Sequence, residues 1–527
     1  MSGLSGLLGV SVSLIVRNRF LSLPDICPLG RIVTLTIFSL FCFFFCQTSC
    51  QAKIKLSGLF SDHMVIQRDA PIRVFGKADP KEVLGVKIGP NKCVAFADEN
   101  GNFNTTLKPL PAGGPYELSV VGSEKVLVKD ILVGEVWLCS GQSNMVLSNR
   151  DSHLSEVVAT QQFNEKMRFL QLPPKVSSKE EFRVDANWKI FNNDTAVGCS
   201  AVATAFATKI NAETDMPVGV IVAAVGGSPI QPWLSRDGLN SYPDGRGLIR
   251  KIDGITSGLK KKGMPVRNLS LNAEESKGKK IEDDPARQLF LSPTTLYNTM
   301  IAPLVPYSLR GVLWYQGEAN VYEFSDYSHY LTKLIQDWRT RFEQPKLPFI
   351  YVQLAPYGAK QVIPAITSPV AELRFAQAKV GVLPFVYMAV TLDCCPVKKP
   401  DWHASDKRKI GNRLAEIALA TQYNKPYAYK SPSLFTHELE GNKVVLHFRN
   451  TMKNLKVNGD SLEGFAIAGP DEKLFWARAE LDGDKVTVWS DRVKKPRKVF
   501  YGWADNPKGN LLGGGNLPAV PFQIDVE

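Results

Sequence analysis

Residues that build metal and redox centres are scarce in this chain. Six histidines occur in 527 residues, along with nine cysteines. Cys27, Cys42, Cys46 and Cys50 all lie within the first 52 residues. The other five, Cys93, Cys139, Cys199, Cys394 and Cys395, cannot all pair, and their spacing matches no zinc pattern. Neither a disulfide framework, a metal nor a cofactor is therefore expected. Internal repeats are absent, and no Gly-x-Ser-x-Gly elbow and no long apolar lid suited to lipid is present. These absences argue against a lipase or peptidase. The apolar run Ile32 to Cys46 follows Arg31 and is shorter than the ~20 residues a membrane helix needs. It leads into Gln47-Thr48-Ser49-Cys50-Gln51-Ala52, small and polar as at a signal-peptide cleavage site. Residues 1–52 are read as a leader. The expectation is export, to a periplasm, an envelope or the medium, with no stable membrane span once the leader is removed.

Acidic charge is also in short supply, with 51 Asp or Glu against 63 Lys or Arg and a formal net charge of +12. Much of the surplus sits in one stretch. Between Arg246 and Arg287 there are 11 Lys or Arg against 6 Asp or Glu, including Lys260-Lys261-Lys262 and Lys277-Gly278-Lys279-Lys280. The stretch has few aromatics to stack on bases, so it reads as a solvated insertion (about 236–290) rather than a nucleic-acid surface. No nucleic-acid partner is expected. The positive field of the insertion suits acidic ligands.

Hydrophobic patterning divides the rest into three parts. Residues 53–130 show short alternating runs such as Ile72-Arg73-Val74-Phe75 and Val86-Lys87-Ile88 between Gly and Pro turns, a β-sandwich pattern. Residues 131–422 alternate buried strands with helices, expected over Ala201 to Glu213, Tyr327 to Phe342 and Ser405 to Thr421, as in a layered α/β domain. Residues 423–527 return to strands, among them Val444 to Phe448 and Val486 to Trp489.

Within the α/β part, Gly134-Glu135-Val136-Trp137-Leu138-Cys139-Ser140-Gly141-Gln142-Ser143-Asn144-Met145 runs from an apolar strand into a small-polar turn. A serine there stands at the carboxyl edge of the sheet, where ligands bind. It becomes a nucleophile only if a base takes its proton. Elimination among the histidines leaves His403. His63, His437 and His447 fall in β-rich termini, His153 follows the serine by ten residues in a polar stretch, and His329 lies on the polar side of an amphipathic helix. His403 follows the strand Val386 to Val390 and precedes a helix, which places it too at a sheet edge, with Asp401 two residues before it. Two further strands end in polar turns. Val218 to Val225 leads to Gly226-Gly227-Ser228, and Val312 to Tyr315 leads to Gln316-Gly317-Glu318-Ala319-Asn320. The Gly227 N–H and the amides of Asn320 or Gln316 are candidate donors to an oxyanion, with Gln142 a further candidate for substrate contact.

These blocks resemble the sialate O-acetylesterase family, within the wider SGNH-type carbohydrate acetylesterases. The likeness is carried by Gly134 to Met145, Val225 to Trp233, Leu296-Tyr297-Asn298 through Pro306-Tyr307, Trp314 to Asn320, Leu373-Arg374 with Ala376-Gln377, and Asp401-Trp402-His403. Ser61 to Arg68 and Tyr501-Gly502-Trp503-Ala504 also fit. The resemblance implies a flavodoxin-like three-layer catalytic domain with accessory β-domains, acting without a metal on O-acetyl esters of sugars. It assigns Ser143 as nucleophile and His403 as general base, later acid. The orienting carboxylate is Asp401 or, as in some related acetylesterases, Glu318; the reading favours Asp401. Members commonly carry a Glu where this chain has Gln231, a departure that bears on sugar specificity. The competing reading is a secreted, non-catalytic carbohydrate-binding protein on a hydrolase scaffold.

Overall fold

The computed structural model describes residues 53–272, 277–394, 402–404, 406–452 and 455–526. The proposed leader, Cys395 and Asp401 lie outside the described residues. Six strands form the centre: β1 (Lys125–Gly141), β2 (Met167–Gln171), β3 (Val218–Ala224), β4 (Gly311–Tyr315), β5 (Phe349–Val352) and β6 (Val386–Ala389). Their spatial order is β2-β3-β1-β4-β5-β6, every neighbouring pair parallel. Strand Lys189–Ile190 adds an antiparallel edge beyond β2. All residues of β3, β4 and β5 are buried, because a parallel sheet is covered on both faces.

The helices that cover it are α1 (Ala201–Thr214), α2 (Gly245–Lys261), α3 (Phe324–Arg341), α4 (Pro369–Val380) and α5 (Lys407–Gln422). Strand alternation sorts the contacts. Trp137, Cys139, Val220, Val222, Leu313 and Ile350 share a core with Phe206 and Ile210 of α1 and Ile410, Leu414 and Ile417 of α5. Val136, Leu138, Ile221, Val312, Trp314 and Phe349 share another with Leu331, Leu334 and Trp338 of α3 and Leu373 of α4.

Strand β1 is 17 residues long and serves two sheets. Its first half pairs with Gly113–Val121 and Val65–Gln67, its second half with β3 and β4. The boundary expected at residue 130 therefore falls inside a continuous strand. At the other end, Ser433–Glu440, Lys443–Arg449, Lys485–Trp489 and Arg478–Asp482 make one antiparallel sheet, and Leu474–Trp476, Phe465–Ala468, Lys498–Tyr501 and Phe522–Asp525 a second. Val444, Leu446, Val486, Val488, Ile467, Val499 and Phe522 form the core they share.

The basic stretch is a folded element rather than a merely solvated one. Ile249, Ile252 and Leu259 of α2 are buried in the same core as α3, while Lys260 and Lys261 remain exposed in its last turn, where cations complement the helix dipole. Cys93, Cys139, Cys199 and Cys394 are free thiols. Among the described residues no helix is long and apolar enough to cross a membrane.

Arg374 locks the C-terminal strands to the sheet. Its fully buried guanidinium donates to the carbonyls of Leu354 (2.7 Å), Ala355 (2.8 Å), Ala504 (2.7 Å) and Asp505 (2.9 Å). Removing it takes the guanidinium donors from the carbonyls of Leu354, Ala355 and Ala504, each unpaired buried group costing about 1–3 kcal/mol. Arg374→Met is therefore expected to lower stability to denaturant by at least about 3 kcal/mol. Urea titration followed by tryptophan fluorescence checks this, and an unchanged midpoint would contradict it.

Candidate active site

The site is set by where three strands stop. Gly141 at the end of β1 is level with Ala224 of β3 on one side and Tyr315 of β4 on the other. Gly141 has φ +134°, and a Cβ there would lie 2.0 Å from the Tyr315 carbonyl oxygen. Only glycine lets the strands close up this tightly. The chain then turns, with Gln142 N–H donating to the Tyr315 carbonyl at 3.0 Å, and Ser143 follows, half-buried, at the start of a single helical turn (Ser143–Val146). The chain leaves β1 toward β2 on one side and leaves the adjacent β4 toward β5 on the other, so Ser143 sits beside the topological switch point between β1 and β4.

The turn after β3 borders it directly. A Cβ built on Gly226 would stand 3.6 Å from Ser143 Cβ. Gly227 has φ +71° and would meet nothing within 4 Å, so its backbone faces open space. The N–H groups of Ser143 and Gly227 donate to no described residue. The side chains expected as further donors are otherwise committed. Gln316 donates to the Ser228 carbonyl (3.2 Å) and to Asn320 Oδ1 (2.8 Å). Asn320 donates to Gln231 Oε1 (3.2 Å) and Glu323 Oε2 (2.9 Å). Gln142 Oε1 accepts from the N–H groups of Gly317 (3.4 Å) and Ala319 (3.2 Å). The three amides therefore brace the turns around the serine. Gln231 donates to Glu323 Oε2 at 2.9 Å, a contact that an ionised glutamate could not make.

The residue that ties the site together is one sequence reasoning passed over. Asn144, fully buried beside the serine, donates through Nδ2 to Glu318 Oε1 and, at 2.9 Å, to the carbonyl of Trp402. It joins the turn after β4 to the segment carrying His403, which is half-buried. Burial pushes the Glu318 carboxyl above its ordinary range, opposed by the Asn144 hydrogen bond and the charge of Lys407. Its Oε2 is buried with no hydrogen-bond partner among the described residues. Elsewhere, His63 pairs with Asp130 at 2.6 Å and His447 with Glu438 at 3.2 Å. His329 is exposed on α3 with its ring 5.0 Å from that of Tyr242. Thus Ser143, Glu318 and the His403 segment are brought to one sheet edge, and those three histidines have other partners.

The His403 segment is held from outside as well. The Trp402 ring stacks on Tyr357, centroids 3.7 Å apart and planes 7° from parallel. Tyr357 N–H donates to the Asp505 carbonyl at 2.9 Å, and Asp505 accepts at 2.5 Å from the Ser368 hydroxyl. The C-terminal loop that Arg374 anchors thus supports the tryptophan next to the histidine.

A cavity of about 660 Å³ lies beside Gly226, lined by apolar Leu172, Val225 and Phe290 and by Gln171, Lys277 and Arg287. Gln171 Oε1 is buried there with no hydrogen-bond partner among the described residues. A larger cleft of about 1400 Å³, between the start of α5 and the C-terminal strands, contains none of the expected site residues.

Known proteins resemble this chain in fold and sequence. A carbohydrate acetylesterase from Xanthomonas citri superposes with a TM-score of 0.76 at 32% identity, covering 90% of this chain and all of that one. The sialate O-acetylesterases of mouse and human are each 28% identical, aligned over 70% and 75% of this chain and 74% and 76% of their own lengths. The class is therefore carbohydrate acetylesterase. The sequence model of the carbohydrate esterase, sialic acid-specific acetylesterase family matches residues 133–262 and 276–420, and the chain belongs to that family.

If the stack positions the histidine, Tyr357→Ala should lower kcat by about 10-fold or more, since misplacements near 1 Å can cost ~100-fold. Tyr357→Phe should retain most activity. Acetate release at saturating substrate checks both, and equal rates for wild type and Tyr357→Ala would contradict the role.

Proposed function

We propose that the protein is a serine esterase that removes O-acetyl groups from sugars through an acetyl-enzyme. The observation that carries this reading is the placement of Ser143 at the end of β1, between the open Gly226-Gly227 turn and the Asn144 link to Glu318 and the His403 segment. Ser143 Oγ attacks the acetyl carbonyl carbon while His403 accepts the hydroxyl proton. The oxyanion is received by the N–H groups of Ser143 and Gly227. Collapse breaks the ester bond, and His403 returns the proton to the departing sugar oxygen. Water then attacks the acetyl-serine, with His403 again taking and returning a proton, and acetate leaves. A carboxylate holds the imidazole tautomer and stabilises the imidazolium. Sequence reasoning favours Asp401 for this role, which lies outside the described residues; Glu318, the alternative, is tied through Asn144 to the segment that carries His403.

The central sheet with helices on both faces supports an SGNH-type, flavodoxin-like catalytic domain of about 131–422, flanked by β-domains of about 53–130 and 423–527. The leader pattern in residues 1–52 supports export, and acetylated extracellular glycans are the matching substrates. Lys277 and Arg287 over the cavity beside Gly226 favour an acidic sugar.

Two experiments test the reading. Ser143→Ala should abolish acetate release from a small chromogenic acetate and from acetylated glycans while leaving the melting temperature within a few degrees. Residual rates near wild type would rule out the serine mechanism, and a wild type inactive on every acetate would favour a carbohydrate-binding role. The Lys277→Gln, Arg287→Gln pair should raise KM for 9-O-acetylated sialic acid by about 10-fold, on the order of 1.4 kcal/mol, and leave acetylated xylan unaffected. Equal losses on both substrates would remove the acidic-sugar assignment.

A further inference from the structure

Lys407 opens α5, yet its side chain is only 1% exposed. Its ammonium lies 5.6 Å from the Tyr315 ring centroid and donates to Asn144 Oδ1. An ammonium has donors and no acceptor, so the oxygen of the Asn144 amide must face it. The nitrogen then faces away, and its two hydrogens meet Glu318 Oε1 and the Trp402 carbonyl. A reversed amide would set Oδ1 against a carboxylate and a carbonyl, leaving three acceptors together without a proton.

We propose that Lys407 is a positioning residue for the ester hydrolysis. Its ammonium fixes the orientation of the Asn144 amide, and through that amide it ties Glu318 and the His403 segment to the residue beside Ser143. The proposal rests on the serine-esterase reading and deepens it. Lys407 also acts by charge. Burial raises the Glu318 carboxyl, and the ammonium counters it. Among the described residues, Lys407 is the charged neighbour that acts on Glu318. Tyr315 and Tyr327 are kept neutral by burial, as is Cys394 beside Tyr315, its thiol pushed up to about 12. His403 lies on the adjoining segment. Loss of the ammonium therefore shifts protonation of Glu318 to higher pH.

The test compares Lys407→Met, Asn144→Ala and the double variant on a small chromogenic acetate, with Ser143→Ala alongside to check the underlying reading separately. Lys407→Met should lower kcat by about 100-fold with KM changed by less than about threefold. Labelling of Ser143 by a fluorophosphonate should slow in parallel. The acid limb of kcat/KM should move up by on the order of one pH unit, the low end of what a neighbouring opposite charge does. If Lys407 works through Asn144, the double variant should be no slower than Asn144→Ala by more than about threefold, since residues acting as a unit are not additive. Arg408→Met, the exposed neighbour, should stay within about twofold of wild type. If Lys407→Met does not fold, Lys407→Gln is read by the same criteria. Activity within about threefold of wild type, an unmoved acid limb, or losses that multiply in the double variant would each overturn the proposal.

Discussion

The site depends on one side-chain amide. Asn144 is one residue past the proposed nucleophile, and its two amide hydrogens reach Glu318 after β4 and the Trp402 carbonyl before His403. These groups come from segments about 170 and 260 residues further along the chain, so nothing local in sequence holds them together. A buried amide whose oxygen and both hydrogens are hydrogen-bonded is costly to disturb, because each group left unpaired in a dry site loses the full cost of its desolvation. The amide therefore turns three separate strand ends into one rigid edge.

The surrounding fold supports that edge from two directions. Inside, the level ends of β1, β3 and β4 fix the turns, and the amides of Gln142, Gln316 and Asn320 brace one turn against the next. Outside, Arg374 and Asp505 bring the C-terminal strands to Tyr357, which carries the Trp402 ring. The C-terminal β-structure is thus part of the machinery that places the histidine, beyond any contact with a glycan. Preorganisation of this kind allows a weak nucleophile such as serine to act without reorganising its surroundings.

Much of this was legible from residue patterns. The wholly apolar Val218–Ala224 and Gly311–Tyr315 runs marked buried parallel strands, and helices expected at 201–213, 327–342 and 405–421 are found at Ala201–Thr214, Phe324–Arg341 and Lys407–Gln422. The shortfalls have physical causes. The boundary expected at 130 falls inside β1, where alternation changes to continuous burial without a turn. The basic insertion looked solvated because its few apolar residues, Ile249, Ile252 and Leu259, are spaced for one helix face and diluted by lysines. Asn144 and Lys407 carried no separate signal, since a buried amide and a buried ammonium are recognised only by their partners. The amides of Gln316 and Asn320 lie in the turns at the sheet edge, but their hydrogen bonds inside those turns could not be read from spacing.

The central claim is that Ser143 carries the acetyl group during turnover. Rapid acid quenching of the protein during hydrolysis of an activated acetate, followed by peptide mapping by mass spectrometry, tests it directly. The account predicts one acetyl group on the peptide containing Ser143, accumulating further when His403 is replaced by alanine and deacylation is slowed more than acylation by the activated ester. Turnover with no acetylated Ser143 peptide at any quench time, or acetylation that persists unchanged in Ser143→Ala, would contradict it.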